Sequence, residues 1–127
     1  MKIFIFDNDR GMIEKIAKVL EINLHLQIDF TDDGEEALQK IQNNGTYNLV
    51  ILEVLSMKVS GIELCRILSE RYKDMPVILI SELPLYSEKF RLACQKYPEL
   101  SVVRGVLQKP FSPQDLLLKI NSIIKQS

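Results

Sequence analysis

The run NLVIL, residues 48–52, is continuously apolar after its first residue and is followed at once by Glu53. A strand with this pattern is covered on both faces, as happens in a parallel sheet with helices on either side. The other predicted strands are KIFIF at 2–6, LQIDF at 26–30, VILI at 77–80 and a run within 101–108. Among them LQIDF alternates apolar and polar residues, which is typical of a half-buried strand.

Amphipathic stretches separate these runs, and their apolar residues recur at helical spacing. The predicted first helix covers about 11–22, and Thr31 or Asp32 is expected to cap the second, which Asn43-Asn44-Gly45 ends. Marker residues of the later helices are Ile62, Cys65 and Leu68, then Phe90, Ala93, Cys94 and Tyr97, then Leu116, Leu117, Ile120, Ile123 and Ile124. Five strand–helix units with short connections predict an α/β fold with an open, mostly parallel sheet.

The composition limits the function classes. The chain has 127 residues, 46% of them hydrophobic, and its 16 basic and 17 acidic side chains give a net charge of −1. This length predicts a single domain over 1–127, with a core that needs no covalent staples. No surplus of Lys or Arg is present to neutralise phosphates, so direct nucleic-acid binding is not expected.

Cysteine content and the first residues point to a cytoplasmic protein. Cys65 and Cys94 form no CxxC motif, and we expect both to be reduced thiols packed as small hydrophobes. The single histidine, His25, is expected to be a solvated residue at a strand edge. The N-terminal apolar run is too short for a signal peptide or a membrane span.

Parallel α/β sheets place their functional sites at the carboxyl ends of the strands. Carboxylates, a hydroxyl and a lysine follow the predicted strands there, and they are Asp7, Asn8, Asp9, Glu53, Ser81, Glu82, Lys109 and Pro110. Converging carboxylates repel one another unless a cation lies among them, and Mg²⁺ prefers such oxygens. A lysine and a serine nearby would hold the oxygens of a phosphoryl group. The alternative for Asp7 and Asp9 is that they cap the first helix, and this is favoured for Asp9.

Four segments together resemble the receiver domain of the response-regulator family. They are IFIFDND, LVILEVLSMKVSGIELCRIL, PVILIS and VLQKPFSPQDLL, and they span nearly the whole chain in the family's order. The resemblance implies a flavodoxin-like (βα)5 fold with strand order 2-1-3-4-5. It also implies that Glu53 occupies the phospho-acceptor position, where receivers have aspartate. Receivers hold Mg²⁺ with an acidic pair from the first strand.

The match at the site is partial. Asp7 fits the first member of the acidic pair, while Asn8 replaces the second carboxylate, so the degenerate acidic site comprises Asp7, Asn8, Glu53 and Leu55. A weak Mg²⁺ site at Asp7 and Glu53 is implied, and Asn8 weakens it further. The phosphate-coordinating and switch positions are Ser81, Glu82, Val106 and Lys109.

These departures point the same way. Glu53 carries its carboxylate one methylene further from the backbone, and a misplacement of about 1 Å can cost on the order of 100-fold in rate. Glu82 adds bulk and negative charge, and Val106 replaces the usual aromatic switch residue. We therefore predict an atypical receiver that is not an enzyme, requires no cofactor and acts by protein–protein contact without phosphorylation.

Three alternatives remain open on the sequence. One is a working phospho-receiver in which Glu53 or Asp9 accepts the phosphoryl group with Mg²⁺. A second is a structural ion pair between Glu53 and Lys109, which is compatible with the main prediction. The third is a small-molecule-binding flavodoxin-like module, although the loop DNDRGM has a single glycine and no phosphate cradle.

The expected partner is a protein, either a histidine kinase or a downstream effector. The resemblance places the contact on the fourth helix, fifth strand and fifth helix, at about 86–125. Exposed candidates there are Tyr86, Lys89, Arg104 and Gln108. No DNA-binding extension is seen, no membrane contact is expected, and the chain is predicted to be a monomer or a weak homodimer.

Overall fold

The computed structural model describes residues 2–23, 27–44, 47–53, 67, 70, 75–82 and 103–124. The strands are β1 (Lys2–Phe6), β2 (Gln27–Thr31), β3 (Leu49–Glu53), β4 (Val77–Ser81) and β5 (Val103–Gln108). The helices are α1 (Arg10–Asn23), α2 (Gly34–Asn44) and α3 (Pro113–Ile124). Ile67 and Glu70 are also helical, but most of the predicted third helix and all of the fourth lie outside the described residues.

The five strands form one parallel sheet in the order β2-β1-β3-β4-β5, so the predicted fold class and strand order are confirmed. Every residue of β3 and β4 is buried, as the continuously apolar run at 48–52 predicted for β3. The edge strand β2 is only partly covered, and Phe30 remains 43% exposed. One irregularity interrupts the pairing of β4 with β5, between Val77 and Ile78.

The core on one face of the sheet packs α1 and α3 against the strands. Its helical members are Ile13, Ile16 and Leu20 of α1 and Leu116, Ile120 and Ile123 of α3. They meet alternate residues of the strands, such as Ile3 and Ile5 of β1, because successive strand side chains point to opposite faces.

Short polar side chains start the helices. The Asp9 carboxylate accepts a hydrogen bond from the Met12 amide at 3.3 Å, so Asp9 caps α1 as predicted. Ser112 and Asp115 cap α3 reciprocally, each side chain accepting a hydrogen bond from the other's amide, at 3.0 and 3.2 Å. These caps fix where the chain leaves the carboxyl edge of the sheet.

The predicted cap of α2 was wrong by one or two positions. Asp33 is the capping residue, since its side chain accepts a hydrogen bond from the Glu35 amide at 3.0 Å. Thr31 still belongs to β2, and its hydroxyl accepts a hydrogen bond from the Asp33 amide at 3.1 Å. Asp32 instead forms an exposed ion pair with Arg10 at 3.6 Å.

A charged cluster joins β2 to α2 on the other face of the sheet, and we call Asp29, Lys40 and Tyr47 the α2 cluster. The Asp29 carboxylate accepts hydrogen bonds from the Lys40 ammonium at 2.8 Å and from the Tyr47 hydroxyl at 2.7 Å. Burial alone would raise the pKa of Asp29, but these donors outweigh it and hold that pKa below its usual value. The Tyr47 ring also packs edge-on against Phe4, with centroids 5.2 Å apart.

Candidate functional site

The carboxyl ends of β1, β3 and β5 bring three charged side chains together, and we call Asp7, Glu53 and Lys109 the edge cluster. The Lys109 ammonium lies 2.8 Å from Asp7 Oδ2 and 3.4 Å from Glu53 Oε1. All three side chains are largely buried, with Asp7 fully covered. The sequence prediction that these positions converge therefore matches the arrangement, although the role of each residue stays a prediction.

Asp7 is held at both oxygens. Its Oδ1 accepts a hydrogen bond from the Asp9 amide at 2.8 Å, which fixes the turn between β1 and α1. Its Oδ2 faces Lys109 as an ion pair, and this buried oxygen accepts no well-aligned hydrogen bond from the described residues. Asp7 is thus the nearest counter-ion of Lys109, and the ion pair between Glu53 and Lys109 that the sequence left open as an alternative is also present, at the longer distance.

Glu53 lies at the end of β3 and reaches across to the connection between β1 and α1. Its Oε2 accepts a hydrogen bond from the Asn8 amide at 3.0 Å. Burial raises the pKa of Glu53 above its usual value; the Asn8 amide and Lys109 lower this pKa and Asp7 raises it, but burial is the largest of these effects. The carboxylate is therefore anchored in place but is poorly compensated as a charge.

Lys109 follows β5 and is fixed by its backbone as well as by its ammonium. Its amide donates a 2.7 Å hydrogen bond to the carbonyl of Ser81, which is itself buried. Glu82 adds a more distant contact with the ammonium at 3.6 Å from a mostly exposed side chain. Burial alone would lower the pKa of Lys109, but Asp7, with Glu53 and Glu82, raises it, so the lysine is a firm cation.

The remaining predicted site residues take different places. Asn8 is exposed and reaches Glu53 through its backbone amide, a contribution that no side-chain pattern could have indicated. Val106 is half-buried on β5, beside Leu79 in the sheet register. Leu55, Tyr86, Lys89, Cys65, Cys94 and His25 lie outside the described residues.

The donor set does not fit a divalent cation in this arrangement. Mg²⁺ needs oxygens in near-octahedral geometry at about 2.0–2.1 Å. Each carboxylate oxygen of Asp7 and Glu53 already faces an amide or the ammonium. Within the described ranges, no three His, Cys, Asp or Glu side chains are arranged to hold a metal ion.

Comparison with known proteins places this geometry in a family. The sequence model of the response regulator receiver domain family matches residues 3–121. The chain belongs to the response regulator receiver domain family. It is therefore a receiver domain of the kind found in two-component response regulators, as the sequence resemblance indicated.

The relatives of this receiver domain are full-length regulators. The response regulator MprA of Mycobacterium sp. (strain KMS) is 26% identical over 130 residues, covering 100% of this chain and 52% of the relative. The heme response regulator HssR of Staphylococcus saprophyticus is 30% identical over 122 residues, covering 96% and 50%. The chain thus spans about half the length of these curated relatives.

Solved structures give the same answer for the fold. The receiver domain of the Francisella response regulator 1452 superposes with a TM-score of 0.79 at 28% identity, covering 98% of this chain and 97% of that one. TrrA of Thermotoga maritima, in complex with Mg²⁺ and beryllofluoride, gives a TM-score of 0.78 at 25% identity, covering 96% and 97%. In the described part of this receiver domain, no helix is long and apolar enough to cross a membrane.

Proposed function

We propose that this receiver domain transmits its signal by protein–protein contact without being phosphorylated. The observation that carries this proposal is the engagement of Glu53, whose two oxygens face the Asn8 amide and the Lys109 ammonium. A carboxylate that is to attack phosphorus needs an oxygen that is accessible and aligned with the leaving group. Glu53 is 6% exposed and is tied at both ends of its carboxylate.

Electrostatics at the entrance also oppose an incoming phosphoryl donor. Asp7, Glu53 and Glu82 present three carboxylates to the single ammonium of Lys109. A phosphoryl donor brings further negative charge, and this set has one lysine to receive it. The repulsion from Glu82 therefore adds to the unfavourable length of Glu53 as an acceptor.

The output side of the domain supports a state that phosphate does not control. Val106 is a small half-buried side chain at the position where the family resemblance implies an aromatic switch residue. Without a ring there, movement of the Ser81 hydroxyl cannot be coupled to a ring flip. We infer that the domain presents one constitutive binding surface, and that it is a cytoplasmic binding module rather than an enzyme.

The partner in this proposal is a histidine kinase or a downstream effector. Of the candidates named on the face first considered, around 86–125, Arg104 and Gln108 lie among the described residues, and both are exposed. A second surface lies between α1 and the start of α3, where a groove of about 340 Å³ is lined mainly by apolar side chains. They are Met12, Ile16, Val19, Pro110, Phe111, Pro113 and Leu116.

The groove fits an amphipathic partner helix that carries acidic side chains. Lys15 and Lys18 are the charged members of its lining. Ile22, three residues after Val19 on the same helical stripe, is 80% exposed and extends the apolar surface. A second copy of this chain would bring the same two lysines against themselves, so charge complementarity favours a different, acidic partner.

Photo-crosslinking from defined positions would locate the partner. A crosslinking residue at Lys18 samples the groove, one at Gln108 samples the face around 86–125, and one at Gln39 of α2 is an exposed control. A kinase or effector captured from Lys18 but not from Gln39 would support the groove. Capture from Gln108 alone would assign the partner to the other face, and capture from neither would overturn both assignments.

Beryllofluoride with Mg²⁺ tests independence from phosphorylation, since this complex imitates a phosphoryl group on a receiver's acceptor. We expect the amide NMR signals of the native chain near Glu53, Ser81 and Lys109 to stay unchanged. The matched Glu53→Asp variant, which restores the shorter acceptor, is the positive control. Site-localised shifts in the native chain would contradict the proposal, and a response in neither protein would assign a further block to Asn8 and Glu82.

A further inference from the structure

We propose that the edge cluster is complete without a divalent cation, because Lys109 supplies the positive charge and Glu53 ties the connection between β1 and α1 to β3. This inference deepens the proposed function and rests on it. It concerns the state of the site before any partner binds. Receivers hold Mg²⁺ with carboxylates at this edge, whereas Asp7 and Glu53 here face Lys109 and two backbone amides.

Lys109 occupies the position between the two buried carboxylates. Its ammonium is closer to Asp7 Oδ2, at 2.8 Å, than to Glu53 Oε1, at 3.4 Å. A metal ion that bound both carboxylates would have to displace this ammonium from a largely buried position. The lysine is held there from its backbone as well, since its amide donates to the Ser81 carbonyl at 2.7 Å.

Glu53 acts as a latch through its other oxygen. Glu53 Oε2 accepts a hydrogen bond from the Asn8 amide at 3.0 Å, which links β3 to the residues directly after β1. An aspartate at this position would carry its carboxylate about 1.5 Å nearer to β3, the length of one carbon–carbon bond. That shortening would take the oxygen out of hydrogen-bond range of Asn8. The latch is therefore a property of the longer side chain.

Each of the four carboxylate oxygens of Asp7 and Glu53 faces a donor from the protein itself. Asp7 Oδ1 and Glu53 Oε2 accept from the amides of Asp9 and Asn8, and the other two oxygens face Lys109. Because the lysine and two amides already face all four oxygens, we expect the native site to gain little from Mg²⁺. Removing the lysine would leave two buried carboxylates without a cation, and only then would Mg²⁺ have a role.

Thermal unfolding tests the lysine half of the inference. The native chain, Lys109→Met and Lys119→Met are heated with magnesium chloride and with sodium chloride at equal ionic strength. Lys119 is the control, because its stem packs beside Gly105 in the middle of β5 and its ammonium is not part of the edge cluster. We expect Mg²⁺ to leave the Tm of the native chain and Lys119→Met unchanged and to raise that of Lys109→Met by several degrees.

A Tm of the native chain that rises specifically with Mg²⁺ would overturn the inference, as would a folded Lys109→Met variant that ignores Mg²⁺. If Lys109→Met does not fold, titration of the native chain with Mg²⁺ alone decides by amide NMR. Unchanged signals at Asn8, Glu53 and Lys109 support the inference, and saturable shifts there overturn it.

Hydrogen exchange of the Asn8 amide tests the latch. Glu53→Gln keeps the length of the side chain and an acceptor oxygen, whereas Glu53→Asp keeps the charge but not the length. We expect Asn8 to stay protected in the native chain and in Glu53→Gln and to exchange at least tenfold faster in Glu53→Asp. Equal protection in Glu53→Asp would overturn the latch.

The failures of the two proposals can be told apart. A response of the native chain to Mg²⁺ alone, with none to beryllofluoride, would remove this inference and leave the proposed function standing. A response of the native chain to beryllofluoride would remove the proposed function, whatever the result for the latch.

Discussion

The α2 cluster and the edge cluster are both built around buried or half-buried carboxylates, but they differ in the balance of acid and base. Asp29 in the α2 cluster is one carboxylate with two donors, from Lys40 and Tyr47, and its pKa is lowered. In the edge cluster, two carboxylates share one ammonium, and burial with the Asp7 charge raises the pKa of Glu53.

The difference separates a carboxylate with matched donors from two buried carboxylates that share one cation. A carboxylate with matched donors stabilises the folded state, as at Asp29. A pair of buried like charges opposes folding and persists where a function requires it. The edge cluster retains this opposition at the carboxyl edge of the sheet of a receiver domain. The following predictions test this contrast by removing one member of a cluster at a time.

Removing the shared cation should have the largest effect. Lys109→Met leaves Asp7 and Glu53 buried without a counter-ion, and loss of one partner of a buried pair costs about 3–5 kcal/mol. Urea denaturation in a buffer free of divalent metal would measure this loss in the free energy of unfolding. Lys119→Met, which removes a lysine outside the cluster, should lose much less. Equal losses in the two variants would show that the edge cluster does not depend on its lysine.

Removing one donor from the α2 cluster should cost less. Tyr47→Phe deletes the hydroxyl that donates to Asp29 and keeps the ring that packs against Phe4. A hydrogen bond to a charged group contributes about 1.5–3 kcal/mol, and this is the loss expected at neutral pH. Because the pKa of Asp29 is lowered, its stabilisation is present above the usual value of 3.8 and disappears as the pH falls through the folded-state pKa.

Denaturation of the native chain and Tyr47→Phe at several pH values would check this. The gap between the two proteins should be widest above pH 3.8 and should narrow below it. A gap that stayed constant into acid would mean that the hydroxyl does not act through the ionised Asp29.

Neutralising Glu53 should have the smallest effect and the opposite sign. A raised pKa means that folding favours the protonated form, so the benefit is present below the usual value of 4.5 and is lost as the pH rises through the folded-state pKa. Glu53→Gln is uncharged at every pH and should be as stable as the native chain or more stable at neutral pH, by up to about 1 kcal/mol. A clear loss of stability at neutral pH, measured by denaturation, would place Glu53 with the matched charges of the α2 cluster.

The sequence predicted the fold because its strands are short apolar runs that end at polar residues. The apolar runs at β3 and β4 predicted a parallel sheet. The polar residues that follow the strands predicted which side chains form the edge cluster. The cap of α2 could not be chosen from Thr31, Asp32 and Asp33 by type alone, since all three side chains can cap a helix. Its choice depends on how far β2 extends.

The contacts inside the edge cluster were less predictable for a different reason. Residue types indicate that Lys109 meets carboxylates, but not that Asp7 is nearer to it than Glu53. The Asn8 amide is a backbone donor, so its contact with Glu53 leaves no mark in the pattern of side chains. The groove beside α1 was likewise missed, because helical spacing does not show that Val19 and Phe111 leave a surface open between them.

Direct phosphorylation is the measurement that tests the central claim most plainly. The native chain and the Glu53→Asp variant are incubated with Mg²⁺ and a small phosphoryl donor such as acetyl phosphate, and their intact masses are measured. We expect no phosphoryl adduct on the native chain under conditions that phosphorylate an unrelated active receiver. An adduct on the native chain that disappears in Glu53→Gln would contradict this expectation.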